Sequence, residues 1–355
     1  MQSEVTGINL SDKELLQLHR DYQHSAELVS LVYVEDSMPG IQRKKSGKGF
    51  SFLFNQKKVT DQTIIDRIRK LAIPPAWTEV WICPKANGHL QATGKDLLRR
   101  KQYRYHAEWE AWRNETKFHR LPAFGKVLPL LREQLKKDMA RTELSEEKVI
   151  ATVISLMEKT YIRIGSSDYE KLYGSYGLTT LKDNHVQVNG SNLQFTFKGK
   201  KGVYHKISIR NKKLAEIVQA CKDIPGKELF QYFDADGNRK SIDSGMVNQY
   251  IRNATGGDFT SKDFRTWAGT LNMMRSIKDI DEAETLEERK KKVLEGLDKV
   301  SALLGNTRTV CRKYYVHPGI IRLYEEDGLK KYLVKMQKEK DEEKILMNIL
   351  KKLQS

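Results

Sequence analysis

Cysteine is scarce in this chain: 355 residues hold three, Cys83, Cys221 and Cys311. They are far apart and odd in number, and no C-x-x-C occurs, so a disulfide framework is excluded and a reducing compartment is expected. Long apolar runs are missing as well. Nothing approaches the ~18 residues that span a bilayer, and the opening MQSEVTGINLSDKE has no apolar signal region. A soluble, intracellular protein without membrane contact is expected. The absence of G-x-x-x-x-G-K-[ST] argues against P-loop nucleotide chemistry. The eight histidines show neither H-E-x-x-H nor Cys/His pairs at ligand spacing, so no metal and no cofactor are expected. Asp234-Ala235-Asp236-Gly237-Asn238 starts like a calcium loop, but its glycine comes fourth instead of sixth, and it reads as a plain turn.

What is abundant is positive charge. Lys and Arg total 63 against 46 Asp and Glu, a formal charge of +17 on a chain that is 39% hydrophobic. Such a chain is apolar enough to fold and basic enough to favour a polyanionic partner, nucleic acid or an anionic membrane surface. A Lys-rich solvated coat would give the same count. The length allows two or three domains.

Residues 1–10 read as loose. Asp12–Val32 has helical spacing, with Leu15, Leu18, Leu28 and Leu31 near one face. Residues 37–48 carry turn signals and a basic cluster. Strand-like runs follow at Phe50–Phe54, Val80–Cys83 and His89–Ala92. Between them a helix starts at Asp61, with Thr60 as N-cap and Ile64, Ile65, Ile68 and Leu71 as its stripe, and Pro74-Pro75 stops it. Beyond Ala107 the periodicity predicts helices over 107–117, 123–139, 145–161, 211–221, 244–253, 261–275 and 285–304. Residues 178–209 form an island of strands, Leu178–Leu181, Val186–Val188, Leu193–Phe197 and Val203–Ile209. Its turns are Asn189-Gly190 and Lys198–Gly202. The Lys/Glu-rich tail could pack on the body through Leu333, Met336, Leu346 and Leu350, or fray in solvent. The expected fold class is α+β. It comprises an extension 1–30, a small β-rich domain 31–108, a larger mainly helical domain 109–322 and a helical tail 323–355.

Several stretches carry groups suited to a phosphodiester. Arg99–His106 (RRKQYRYH) interleaves cations with rings and one amide: cations neutralise phosphates, rings pack on sugars or bases, and Gln can pair with a base edge. The same stretch could equally end an ordinary basic helix. Arg163 lies in TYIRIG, Lys200 in FKGKKG, Arg265 in KDFRTWAGT, Asn306 in GNT and Tyr315 in YYVHP. Taken singly, each is most often structural.

Taken together, in this order, the blocks resemble the type IB DNA topoisomerases of the small bacterial and poxvirus kind. The resemblance runs from about residue 35 to 322 and includes PPAWTEVWICPKANGHLQATGKD, RKQYRYH, SYGLTTL, FKGKKG, KDFRTWAGT, GNT and YVHP. It implies that Arg163, Lys200, Arg265, Asn306 and Tyr315 are the catalytic groups, with Asn306 where poxvirus relatives carry His. It implies DNA contacts from Arg100, Lys101, Gln102, Tyr103, Arg104, Tyr105, Lys201 and Lys262. It further implies a C-shaped clamp on duplex DNA, a 3′-phosphotyrosine, and rotation of the free end without ATP. Ser166-Ser167 stands where bacterial relatives have Asn-Glu, and Tyr314 where many have Ser, which creates a second candidate nucleophile. Tyr315 is chosen from its place before Val316-His317-Pro318.

The residue types suit that chemistry. Attack by an enzyme hydroxyl stores the phosphodiester energy in a reversible ester, and a phenol of pKa ~10 leaves more readily than an alkoxide on the return. Two guanidiniums can grip the non-bridging oxygens while an amide donates another hydrogen bond. A lysine at a hairpin tip can protonate the departing oxygen. A monomer in the cytoplasm, associated with the nucleoid and double-stranded DNA, is expected. A tyrosine recombinase shares the Arg/Lys/Arg/Tyr logic but normally shows H-x-x-R where this chain has Lys262-Asp263-Phe264-Arg265. A non-catalytic nucleoid-binding protein would account for the charge but not for the five residues.

Overall fold

The computed structural model describes residues 21–47, 49–279, 283–339 and 341–354. The chain divides into two compact units, one ending at Arg120 and the other starting at Leu121. The expected loose segment 1–10 and the expected helix as far as Arg20 lie outside the described residues; its remainder is the helix Tyr22–Leu28. Among the described residues no helix is long and apolar enough to cross a membrane.

The first unit is built on a six-stranded sheet. In spatial order its strands are Lys57–Lys58, Gly49–Phe54, Ile41–Ser46, Thr78–Ile82, Leu90–Lys95 and Lys101–Tyr105. Every pairing is antiparallel. Ile41, Val80, Ile82 and Ala92 pack under Ile68 of the helix Gln62–Lys70. That helix is capped by Asp61, whose carboxylate accepts the Thr63 amide at 2.8 Å, and not by Thr60. Asp one residue later offers a stronger acceptor, and such a cap is worth about 1 kcal/mol. The basic cluster at 41–46 is a strand instead of a turn: Gln42–Ser46 pair with Gly49–Leu53, leaving most of the charges in solvent. The helix Ala107–His119 carries Trp109 and Trp112 into a cluster with Ala26, Val29 and Leu31. Two large buried rings tie it to the first unit, so that unit extends past the expected boundary at 108.

The second unit holds one extended core. Its centre is the helix Glu146–Thr160, capped by Ser145 and buried from Val149 to Met157. A helix that is apolar on all faces belongs inside a fold, not at its surface. The helix Ser261–Lys278 is also internal, with thirteen of its eighteen residues buried. Its start is fixed by a capping box in which the Thr260 amide donates to Asp263 at 2.8 Å. A three-stranded sheet follows the expected island: Val186–Asn189, Asn192–Lys198 and Tyr204–Arg210. Leu178–Thr180, expected as a strand, is a 3-10 turn, because the Thr180 amide closes back on Gly177 at 2.8 Å. Asp234 accepts the amides of Asp236 and Asn238 and makes the turn of a short hairpin. The tail forms the helices Lys330–Lys338 and Glu342–Gln354, and Met336, Ile345, Leu346, Ile349 and Leu350 are buried in the core.

Candidate active site

The central helix ends at Tyr161, whose left-handed backbone (φ 57°) turns the chain out of the helix. The segment after it is extended and pinned. Leu178 donates its amide to the Arg163 carbonyl at 2.8 Å, Thr179 to Ile164 at 2.7 Å, and the Thr179 hydroxyl also donates to Ile164 at 2.9 Å. The SYGLTTL block therefore serves as the backing strip for the Arg163 backbone.

The Arg163 side chain donates one Nη2 to the Gly305 carbonyl at 3.1 Å and to Asn306 Oδ1 at 2.6 Å. Arg265, only 7% exposed, donates Nη1 to the Tyr161 carbonyl at 2.7 Å and Nη2 to the Leu304 carbonyl at 2.8 Å. Both guanidiniums thus converge on residues 304–306, the C-terminal turn of the helix Leu286–Leu304. The last carbonyls of a helix carry partial negative charge and want donors. They orient the two cations without neutralising them, and neither guanidinium pairs with a carboxylate among the described residues. Burial, then the charge of Arg265, push the Arg163 pKa down to about 10. At neutral pH it stays charged, in a site that is short of an anion. Arg265 Nε is buried and has no hydrogen-bond partner among the described residues.

Tyr315 follows the short helix Arg308–Tyr314, and its amide donates to Cys311. The Arg265 guanidinium carbon lies 5.0 Å from the centre of its ring, a cation–π contact. Its backbone is held against the Arg265 helix. The Thr270 hydroxyl lies 3.2 Å from the Tyr315 carbonyl and accepts the His317 amide at 3.1 Å. Gly269 lets the two backbones touch: a Cβ there would meet the Tyr315 carbonyl oxygen at 2.5 Å. Tyr314 is 40% exposed, with Lys313 beside its ring, while Tyr315 has the Arg265 guanidinium over its own.

Lys200 opens the exposed turn Lys200–Gly202 between the strands Asn192–Lys198 and Tyr204–Arg210. Its Nζ stands 5.5 Å from the Tyr169 ring, on a helix, Ser167–Tyr173, that the sequence did not reveal. Ser166 caps this helix without a side-chain hydrogen bond. Arg163, Gly199, Lys200, His205 and Leu304 line one cleft, which brings the lysine to the arginine side of the site. Lys201 and Lys262 are exposed on the hairpin turn and on the first turn of the Arg265 helix. His205, Thr270 and Tyr169 were not singled out by sequence. The one available signal was strand alternation, which puts His205 in the inward row with Ile207 and Ile209.

In the first unit RKQYRYH forms the edge strand Lys101–Tyr105, not a helix end. Alternation puts Lys101, Tyr103 and Tyr105 on one face, where the two rings stack at 5.9 Å and are 46% and 38% exposed. Gln102 donates to Asp96 at 3.0 Å, and Arg104 donates to the Ala72 carbonyl at 3.2 Å. Arg100 and Lys101 are ion-paired with Asp96 and Asp36.

Residues 106–344 match the family described as eukaryotic DNA topoisomerase I, catalytic core, and residues 49–96 match bacterial DNA topoisomerase IB, N-terminal domain. The chain is 32% identical to DNA topoisomerase 1B of Acanthamoeba polyphaga mimivirus, over 82% of this chain and 89% of that one. It is 19% identical to DNA topoisomerase 1B of Vaccinia virus (strain Copenhagen), over 75% and 83% of the two chains. With DNA topoisomerase 1 of Candida albicans it shares 24% identity over 51% of this chain and 23% of that one.

Proposed function

The chain belongs to the type IB DNA topoisomerases, and on that premise we propose that Tyr315 is the nucleophile through which it cuts and reseals one strand of duplex DNA. The enzyme is a type IB DNA topoisomerase acting on DNA; the assignment of roles to its residues is the proposal. The carrying observation is that two guanidiniums, Arg265 buried and Arg163 half-buried, neither paired with an acid among the described residues, converge on residues 304–306 while Arg265 covers the Tyr315 ring.

The phenolic oxygen of Tyr315 attacks the scissile phosphorus. The bond from phosphorus to the 5′ oxygen breaks, the phenolic proton is released, and Lys200 delivers a proton to the departing 5′ oxygen. Arg163 and Arg265 take the charge that builds on the non-bridging oxygens, each with N–H groups already oriented by carbonyls. Asn306 accepts from Arg163 with Oδ1 and donates one Nδ2 hydrogen to the Leu304 carbonyl at 3.4 Å, and its second Nδ2 hydrogen is the one proposed to reach a phosphate oxygen. Removing such a donor costs about 100- to 1,000-fold. The product is a 3′-phosphotyrosine and a free 5′ hydroxyl. The duplex downstream turns under torque, and the 5′ hydroxyl then reverses the step, driven by neither ATP nor metal. The exposed Tyr103-Tyr105 face and Arg104 of the first unit, with Lys201 and Lys262 of the second, supply docking contacts. A C-shaped clamp of a monomer around the duplex, in the cytoplasm at the nucleoid, is the form proposed for the complex.

Relaxation of a supercoiled plasmid that carries no special site, with EDTA and without ATP, tests this reading. A ladder of topoisomers is expected. A requirement for a particular pair of sites would favour a recombinase, and an unchanged plasmid a mere DNA binder.

A further inference from the structure

We propose that His205 is a positioning residue for strand cleavage: its imidazole is wedged between the backbones of Gly199 and Gly305 and holds the Lys200 turn in register with the turn that bears Asn306. The inference rests on the proposed role of Lys200 as the acid for the 5′ oxygen.

The two turns belong to different elements. Lys200 sits at the tip of a hairpin whose neighbours are open to solvent; Tyr204 is 78% exposed. Asn306 sits past the end of the helix Leu286–Leu304. His205 spans the gap. A Cβ on Gly199 would meet its Cδ2 and Nε2 at 2.6 Å, and a Cβ on Gly305 would meet its Cε1 at 2.6 Å. One edge of the ring therefore lies directly on both α-carbons, and both positions must be glycine for it to fit. Gly305 needs to be glycine twice over, because its φ of 58° also closes the helix. The opposite support is Phe197, the cross-strand partner of His205, stacked on the imidazole at 5.1 Å.

The Gly305 carbonyl accepts from Arg163, so the contact also sets the distance between Lys200 and the guanidinium. Burial, and next the charge of Arg163, keep the imidazole pKa below its ordinary value, so a neutral ring packs here without adding a third cation. Proton delivery to a departing oxygen requires hydrogen-bond reach. A misplacement of about 1 Å costs on the order of 100-fold in rate. A wedge that fixes a solvent-exposed tip accordingly has a catalytic effect without touching the substrate.

The test is single-turnover cleavage of two DNA substrates by the full-length enzyme. One has the ordinary 5′ oxygen at the scissile bond. The other has a bridging sulfur there, whose thiolate leaves without a proton. His205→Ala is expected to slow cleavage of the oxygen substrate about 100-fold, with DNA affinity unchanged, and to cleave the sulfur substrate within a few-fold of wild type. Lys200→Ala should show the same rescue, and the double variant Lys200→Ala/His205→Ala should be no slower than Lys200→Ala alone. Gly199→Ala, which drives the ring out from the other side, should reproduce the pattern if the histidine variant folds poorly. Equal slowing of His205→Ala on both substrates, or multiplicative losses in the double variant, would overturn the inference while leaving Lys200 as the acid. Failure of sulfur to rescue Lys200→Ala itself would remove the acid role and the inference with it.

Discussion

The guanidinium of Arg265 covers the ring of Tyr315 at 5.0 Å, and Thr270, on the same helix as the arginine, holds the Tyr315 carbonyl at 3.2 Å. The proposed attacking group is therefore held against the rigid, buried helix that bears one of the two proposed phosphate-binding arginines. Catalytic groups set on such elements hold their geometry better than groups on loops.

Gly269 is the point where this mounting can be broken with one methyl. Gly269→Ala puts a Cβ 2.5 Å from the Tyr315 carbonyl oxygen and 2.8 Å from its Cβ. The helix itself gains propensity, so folding should survive. Cleavage in single turnover should fall about 100-fold, as expected for a displacement near 1 Å, while the affinity for DNA stays at the wild-type value. Loss of binding in parallel with cleavage would point to a global disturbance.

Asn306 accepts from Arg163 with its oxygen and donates one amide hydrogen to the Leu304 carbonyl, and the other amide hydrogen is proposed to serve the phosphate. Asn306→Asp replaces a donor with a charge that would pair with Arg163 and repel DNA. The cleavage rate should drop at least as far as the loss of one oxyanion donor, about 100- to 1,000-fold. Asn306→His retains an N–H donor and should keep far more activity. Rate constants for both variants at saturating DNA make the comparison; equal losses would leave Asn306 without a donor role.

The tail is fastened to the catalytic helix through Glu343. Its carboxylate accepts both Nη groups of Arg132, at 2.6 and 2.8 Å, and the Trp267 indole at 3.0 Å, two residues from Arg265. Burial raises the Glu343 pKa, but these donors outweigh it and the net shift is downward. A lowered folded-state value means stability that is full above the unfolded value, about 4.3, and is lost as pH falls through the folded one. Glu343→Gln should therefore cost about 1–3 kcal/mol at pH 7, and its gap in melting temperature from wild type should narrow as pH falls below 4. Calorimetry across that range checks both the size and the sign. A gap that grows at low pH would contradict the pairing.

The edge strand Lys101–Tyr105 should govern docking and not bond chemistry. Arg104→Ala should weaken binding on every sequence and lower the salt slope by about one unit. Gln102→Ala and Tyr103→Ala should shift where cleavage occurs. Religation by a trapped covalent complex should change little in all three. Salt titrations, cleavage maps and religation rates decide; a collapse of religation with binding intact would move this strand to the active site.

Most helices of the second unit were legible as long apolar-rich stretches free of proline, as in Val149–Met157 and Phe264–Met274, which are buried throughout. What failed was local reasoning about charge. Ile41–Ser46 is a strand although five of its six residues are polar or charged, because a single face needs only Ile41 to join the core and pairing with Gly49–Leu53 does the rest. RKQYRYH is a strand for a related reason: an edge position tolerates alternating cations and rings. Leu178–Thr180 has strand composition, yet its amides are claimed by Arg163 and Ile164, a long-range demand invisible in the segment itself. The five proposed catalytic residues were picked out by their blocks. Their supports, Thr270, Gly269 and His205, were not, since each acts by contact with a segment 45 to 100 residues away in the chain.

The central assignment is the identity of the nucleophile, and adjacent tyrosines make it a clean choice. The covalent complex should be trapped on DNA, digested with protease, and its nucleotide-bearing peptide sequenced, with Tyr315→Phe and Tyr314→Phe run in parallel. The nucleotide is expected on Tyr315, with Tyr315→Phe binding supercoiled DNA but forming no adduct and relaxing nothing, and Tyr314→Phe remaining active. A nucleotide on Tyr314, or relaxation at the normal rate by Tyr315→Phe, would contradict it.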